Sequence, residues 1–427
     1  MRGIRAVATT TLLAASLLAA PPSSRAATRP ETASVKPLAT VQVNGVVWSQ
    51  VVVGGTVYAT GSFTRARPAG AAPGTSETTR SNLLAYSIST GKLVTAWKPR
   101  LNAQGRAIAA STDGKRIYVG GDFTEANGAT HNRIVALSAK TGGVVTSFKG
   151  SLNGGVNALA VGKSTVYVGG LFSTARGEAR ARLAAFSTAS GAVRAWKPRA
   201  DAQVYALALI PSKGTVVIGG KFATLNGTTQ PGLGAVRDDG SGTSRAWPTN
   251  RVVRNSGRQA AIGSLVATSK SVYATGWTYD SGGNFESVAR MDLDGKLLWV
   301  SGCRGDTYGA YSSGGVVYTV GHAHDCTSVP GGFSQPTTTP RYYHRGVAFT
   351  ASTAGTNGFS SLDNTFFGRP APRMLPKWLP DFAAGSYTGQ NQGPWTVTGN
   401  GKYLVVGGEF PSVGGKPQQG LVRFALP

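Results

Sequence analysis

The sequence predicts an all-β, seven-bladed β-propeller in one domain, with an N-terminal strand closing the C-terminal blade. Three observations carry that expectation. The composition is that of a turn-rich β protein, with 59 Gly and 22 Pro among 427 residues and only 14% charged residues. That excludes coiled coils, helical bundles and charged disordered chains, and the lack of a triplet Gly period excludes collagen. The pattern Val/Ile-Tyr-x-x-Gly-x-Phe recurs along the chain in clean and degraded copies. Its period of roughly fifty residues suits one four-stranded blade per copy.

Clean copies run from Val57 to Phe63, Ile117 to Phe123, Val166 to Phe172, Val216 to Phe222 and Leu404 to Phe410, with degraded ones at Val272 to Gly276 and Val317 to Gly321. The key glycines are Gly61, Gly121, Gly170, Gly220, Gly276, Gly321 and Gly408, spaced by 60, 49, 50, 56, 45 and 87 residues. A small apolar strand precedes the motif, as in Val156 to Val161 and Val204 to Leu209, and small side chains suit the narrow region around a central channel. A third strand follows, as in Arg133 to Leu137 and Arg182 to Phe186, then a Gly turn such as Ser89-Thr90-Gly91-Lys92, where Gly accepts positive φ. The outer strand ends on Trp97, Phe148, Trp196, Trp247, Trp299 or Trp378. Aromatics at one repeat position read as packing between blades rather than as a ligand stack. The seventh repeat reaches Pro427 after its third strand, while Pro37 to Asn44 precedes the first innermost strand. This N-terminal strand is expected to complete the C-terminal blade and remove an exposed edge.

Residues 1–26 read as a Sec-type signal peptide cleaved near Ala26. Arg2 and Arg5 form the basic region, Ala6 to Ala20 the apolar one, and Ser24-Arg25-Ala26 the cleavage signal. Residues 27–36 read as a linker and 37–427 as the propeller. Cys is absent directly after the cleavage signal, which argues against a lipid anchor, and the separated Arg2 and Arg5 argue against a twin-arginine signal. No transmembrane segment is expected in the mature chain. The reading is a secreted, extracellular monomer. The net charge of +25 favours anionic partners such as acidic polysaccharide or a cell-wall polymer. Export disfavours nucleic acid. Without a run of five Lys/Arg, scattered solvated charge is the simpler reading.

At Tyr-Val-Gly-Gly-x-Phe-Thr-x-x-Asn-Gly, clearest from Tyr118 to Gly128, the sequence resembles the delta-60 repeat, a bacterial β-propeller domain of unknown function common in secreted proteins. The resemblance spans nearly the whole mature chain. It implies a propeller and no particular activity, because function belongs to the site and not to the fold.

Two regions could carry a site. Loops from each outer strand to the next inner strand hold Gln104, Asp201, Gln203 and Gln390, and polar residues around one mouth of a rigid channel are a default ligand site. The bland alternative is that they satisfy turn backbones. The second region is the strongest departure from the repeat, Cys303-Arg304-Gly305-Asp306-Thr307-Tyr308 together with His322-Ala323-His324-Asp325-Cys326. Two Cys on facing loops of an exported protein are expected to pair. That pairing brings Asp306 near His322, His324 and Asp325, a set able to hold a divalent metal or to supply a general base. Arg304 and Tyr308 join it as ligand contacts. No metallohydrolase motif or nucleophile elbow accompanies the set, so no cofactor is predicted, with a divalent metal at His322, His324 and Asp306 as the alternative. An insertion at about 327–380 explains the 87-residue spacing and is expected to roof this site. The leading expectation is a binding module for carbohydrate or an anionic cell-surface polymer at the polar loop face. The alternative is an exported metal-assisted hydrolase or lyase using Asp306, His322 and His324.

Overall fold

The computed structural model describes residues 29–279, 282–335 and 342–427, together with Gly3 and Ala6. Apart from those two residues, the expected signal peptide lies outside the described residues. Among the described residues there is no α-helix, and none is long and apolar enough to cross a membrane. The repeat builds antiparallel sheets of three or four strands. In the second of them Gly105–Ala110, Arg116–Gly121 and Ile134–Ser138 pair in sequence order. Among the described residues seven of these sheets start from an inner strand of the repeat, and those strands are Val46–Val53, Gly105–Ala110, Val156–Val161, Val204–Ile210, Ala260–Ala267, Thr307–Ser313 and Pro394–Gly399. Each packs beside the next, and Pro394–Gly399 neighbours Val46–Val53.

The outer strand is shorter than its sequence suggests. Ser244–Arg245 and Leu297–Val300 are strands, but elsewhere a single bridge remains, such as Tyr86 to Leu93 or Phe186 to Val193. The chain turns at once because the following aromatic must go inward. Trp97, Trp196 and Trp299 are buried and donate their indole N–H to Ser138 O (3.1 Å), Arg237 O (2.7 Å) and Ala351 O (2.8 Å) in the next sheet. Tyr58 and Tyr167 meet Trp97 and Trp196 edge-on at 5.0 Å. These rings are the apolar seams between sheets, as expected, and removing each from water contributes several kcal/mol.

The N-terminal segment differs in extent from the expected strand. Leu38 bridges Arg423, its N–H donating to Arg423 O as Val94 N–H donates to Ala85 O in the first sheet, and Ser34 N–H donates to Ala425 O at 2.9 Å. Gln42–Val43 instead pairs with Arg65–Arg67. The buried Arg423 guanidinium explains the short contact. It donates to Ala39 O (2.7 Å), Ile88 O (2.6 Å) and Ser89 O (2.9 Å), tying three segments together where neighbouring sheets have only apolar side chains.

The Gly-Gly pair of the repeat has a geometric cause. A Cβ on Gly120 would overlap Val156 of the next inner strand, and one on Gly121 would overlap the backbone at Gln104 and Gly105. Opposite that pair the inner strand carries a bulge, with Gly105 facing Gly121 and Ala107 facing Gly120, so Arg106 has no partner. The same register shift occurs in the other six inner strands. A bulge adds one residue and redirects its side chain.

The Asn-Gly of the repeat forms the tight turn of a small hairpin, with φ of 52° at Asn127 and 85° at Gly128. Asn tolerates this region, whereas Arg176, at φ 48° in the third sheet, pays a steric cost there. Arg176→Asn is expected to raise stability by roughly 0.5–1 kcal/mol. An unchanged urea midpoint would contradict the assignment.

These turns also latch neighbouring sheets. Arg100 N–H donates to Asn127 Oδ1, Arg199 N–H to Asn226 Oδ1 and Arg254 N–H to Asn284 Oδ1, each at 2.9 Å. Between the fifth and sixth sheets the same register positions hold Cys303 and Cys326, since Arg304 bridges Asp325 as Leu101 bridges Ala126. Cys303 and Cys326 form the expected disulfide.

Candidate functional site

The bulge decides which side chains face a shared cavity. Its unpaired residue is Trp48, Arg106, Asn157, Tyr205, Gly263, Tyr308 or Trp395 in successive sheets, and all of these line one cavity of about 550 Å³. The position is half-buried throughout, so each side chain reaches the cavity while its backbone is anchored in a sheet.

Two aromatic groups result. Trp48 meets Trp395 edge-on at 5.1 Å, and Tyr308 lies 4.2 Å from Trp395 between ring centroids. Across the sheet order, Tyr205 and Trp277 lie 6.4 Å apart, with Lys221 Nζ 4.9 Å from the Trp277 ring. Gly263 has no side chain, and the Trp277 indole stands 3.5 Å from where a Cβ there would lie. Polar contacts orient these rings. Trp48 donates to Gln104 Oε1 (2.8 Å), and Gln104 Nε2 (2.9 Å) and Arg106 Nε (2.8 Å) both donate to Asp122 Oδ2. Trp395 donates to Glu409 Oε1 at 3.1 Å. In the cavity wall, Gln50 is 8% exposed and accepts from Tyr86 at 2.9 Å, while its Nε2 has no partner among the described residues. Burying such a donor unpaired is costly.

Asp306 sits beside the Tyr308 ring and is 3% exposed. Burial pushes its carboxyl up to about 6, against hydrogen bonds from Tyr279, Tyr308 and the Thr278 backbone that favour the charged form. Tyr308 donates to Asp306 Oδ2 at 3.1 Å and lies 3.4 Å from His322 Nδ1, which is 3.0 Å from Gln392 Oε1. Burial lowers the pKa of His322 and of His324, and the two rings stack at 6.4 Å. His324 Nδ1 is paired with Gln335 Oε1 at 3.1 Å.

The residues singled out from sequence therefore separate. Asp306, Tyr308 and Gln390 line the cavity, Gln104 orients Trp48 beside it, and Gln203 Oε1 accepts from Tyr205 at 2.9 Å. His322 reaches it through Tyr308. Asp201 is turned to its own hairpin, accepting from Ala223 N–H (2.9 Å) and Thr224 N–H (3.1 Å), as Asn102 and Asn153 do in their sheets. Asp325 accepts from Thr327 (2.5 Å) and Gln335 N–H (3.1 Å), and Arg304 donates to Leu362 O at 3.3 Å. Among the described residues no three His, Cys, Asp or Glu side chains gather as a metal would require, and no described residue of 327–380 lines the cavity. The insertion instead contains the third strand of the sixth sheet, His344–Thr350, and places Tyr343 edge-on against His322 at 5.5 Å.

Trp48, Arg106, Asn157, Tyr205 and Trp395 did not stand out in the sequence. The signal was present at the second position of Val-Asn-Ala and Val-Tyr-Ala, where the residue changes freely between two apolar neighbours. Strict alternation would read it as one more strand face. The bulge breaks that alternation.

Residues 113–138 match the family described as "Domain of unknown function (DUF5122) beta-propeller". No curated protein matches the chain. Among solved structures, the chain is similar to U3-55K at 13% identity and a TM-score of 0.52, covering 92% of this chain and 100% of that one. It also matches the computationally designed Ika8 protein at 14% identity and a TM-score of 0.46, covering 91% and 99%. At such identity the likeness to U3-55K speaks to fold alone. Within residues 113–138 the chain thus carries the repeat of this β-propeller family of unknown function, which is known as the delta-60 repeat.

Proposed function

We propose that the chain is an exported, seven-bladed propeller, closed through the contact of Leu38 with Arg423, that binds carbohydrate in its channel mouth. One observation carries the reading: the bulged position of the inner strands presents Trp48, Trp395, Tyr308 and Tyr205 to a single cavity. A pyranose ring offers apolar C–H faces and a polar rim. Flat indole and phenol rings suit the faces, and the Gln50 amide, Asn157 and Arg106 suit the hydroxyls. Rings already ordered by Gln104 and Glu409 lose little freedom on binding.

The test is isothermal titration against a panel of neutral and acidic oligosaccharides. Trp48→Ala and Trp395→Ala are each expected to weaken the best ligand roughly tenfold, the loss typical of a buried aromatic anchor. A panel without any ligand, or variants that bind as the parent does, would sink the reading.

A second reading, an exported hydrolase or lyase, is favoured by the raised carboxyl of Asp306 beside Tyr308 and His322. A carboxyl poised near neutrality can act as general acid or base. It requires turnover that Asp306→Asn abolishes while binding persists.

A further inference from the structure

The sheet latches carry a charge pattern that the channel does not use. In four consecutive seams one exposed Arg stands at the latch. It is Arg100 between the first and second sheets, Arg176 between the second and third, Arg199 between the third and fourth, and Arg254 between the fourth and fifth. The second case is telling. There the residue equivalent to Arg100 is Ser151, and Arg176 takes the place of Asn127 across the latch, with its N–H donating to Ser151 O at 2.9 Å. The cation is thus kept in that seam from the other side, in a backbone conformation that favours Asn or Gly. Simple copying of the repeat would not do this. Lys98, Lys149 and Lys197, also exposed, stand two residues ahead of Arg100, Ser151 and Arg199. The opposing carboxylates along this stretch are Glu125, Glu178, which is paired with Arg180 at 3.0 Å, and Asp201, which accepts from the Ala223 and Thr224 N–H groups of its hairpin. The pattern stops at the next seam, which holds Cys303 and Cys326.

The geometry points to an arc of cations outside the channel mouth, one step per sheet, that holds a linear acidic polysaccharide. This rests on the proposed carbohydrate reading and specifies its ligand class: a chain whose carboxylates repeat along its length, with one stretch in the channel mouth and the rest across the arc. Guanidinium groups pair with carboxylates through two parallel hydrogen bonds. Regularly spaced cations on a rigid scaffold favour a polymer over a single small anion.

The test measures binding of polygalacturonate and of a neutral glucan as salt is varied, for the parent and three variants. Arg100→Gln/Arg176→Gln/Arg199→Gln/Arg254→Gln is expected to bind polygalacturonate about tenfold or more weakly and to lower the log–log salt slope by roughly two to three. Lys115→Gln/Lys163→Gln/Lys270→Gln/Lys402→Gln makes the same charge change in the inner hairpin turns, at the far end of the channel, and is expected to retain binding. Trp48→Ala/Trp395→Ala separates the two readings. If it leaves polygalacturonate binding intact while the arc variant loses it, the channel reading fails and the arc stands. If the neutral glucan binds as well as polygalacturonate, or the two lysine and arginine variants behave alike, the arc is overturned. Tighter, arc-dependent binding of single-stranded DNA would overturn the polysaccharide assignment.

Discussion

Asp306→Asn is expected to stabilise the protein by about 3 kcal/mol at pH 7 and to leave it unchanged near pH 3. The carboxyl is buried and its pKa in the fold is raised from 3.8 to about 6. In the unfolded chain it ionises near its ordinary value, so the unfolded state loses its proton first as pH rises. The protonated group therefore supports the fold fully below about 4, and that support is lost as pH climbs through about 6. At 1.36 kcal/mol per unit, the gap corresponds to about 3 kcal/mol. Glu286, raised by burial, acts in the same direction, whereas His322 and His324, lowered by burial, act in the opposite one. The informative quantity is thus the difference between variant and parent in urea unfolding from pH 3 to 8. Parallel stability curves would show that Asp306 is not the buried acid described.

The second large effect concerns the latch between the fifth and sixth sheets. Cys303→Ser/Cys326→Ser is expected to lower stability by about 3 kcal/mol, the loop-closure entropy for residues 23 apart. Because the pair occupies the register positions of Arg100 and Asn127, Cys303→Arg/Cys326→Asn is expected to recover about 1 kcal/mol of that loss through the backbone-to-Asn hydrogen bond. Urea midpoints of the three proteins at constant denaturant slope decide this. A serine variant as stable as the parent would remove the structural role. A latch variant no better than serine would show that the two seams are not equivalent.

Much of the fold was legible because its causes are local and repeated. A Gly pair that must admit a neighbouring backbone, an Asn-Gly that must take positive φ, and an aromatic that must fill a seam each leave a mark at a fixed repeat position. The pairing of Cys303 with Cys326 was legible for a similar reason, since both lie in segments that break the repeat at matching places. The extent of the outer strands was not legible. Whether Leu93 begins a strand or makes a single bridge depends on where Trp97 finds its carbonyl partner, and Ser138 lies in the next sheet.

The candidate site divides in the same way. His322, His324, Asp306 and Asp325 stand out in the sequence because they are rare residue types close together, yet Asp325 closes a turn and His324 pairs with Gln335. Asp201 and Asn102 look alike as polar mouth residues, and both are spent on hairpin backbones. Trp48 and Trp395 are separated by most of the chain and share a cavity because the first and last inner strands are neighbours. By itself the sequence determined the repeat, its glycines and seam aromatics, and the disulfide partners, since each answers a steric or chemical demand met within one or two repeats. Only the tertiary structure decided which side chains face the cavity. A one-residue bulge reverses the direction of every side chain after it, and the groups that then meet come from sheets brought to one cavity by packing.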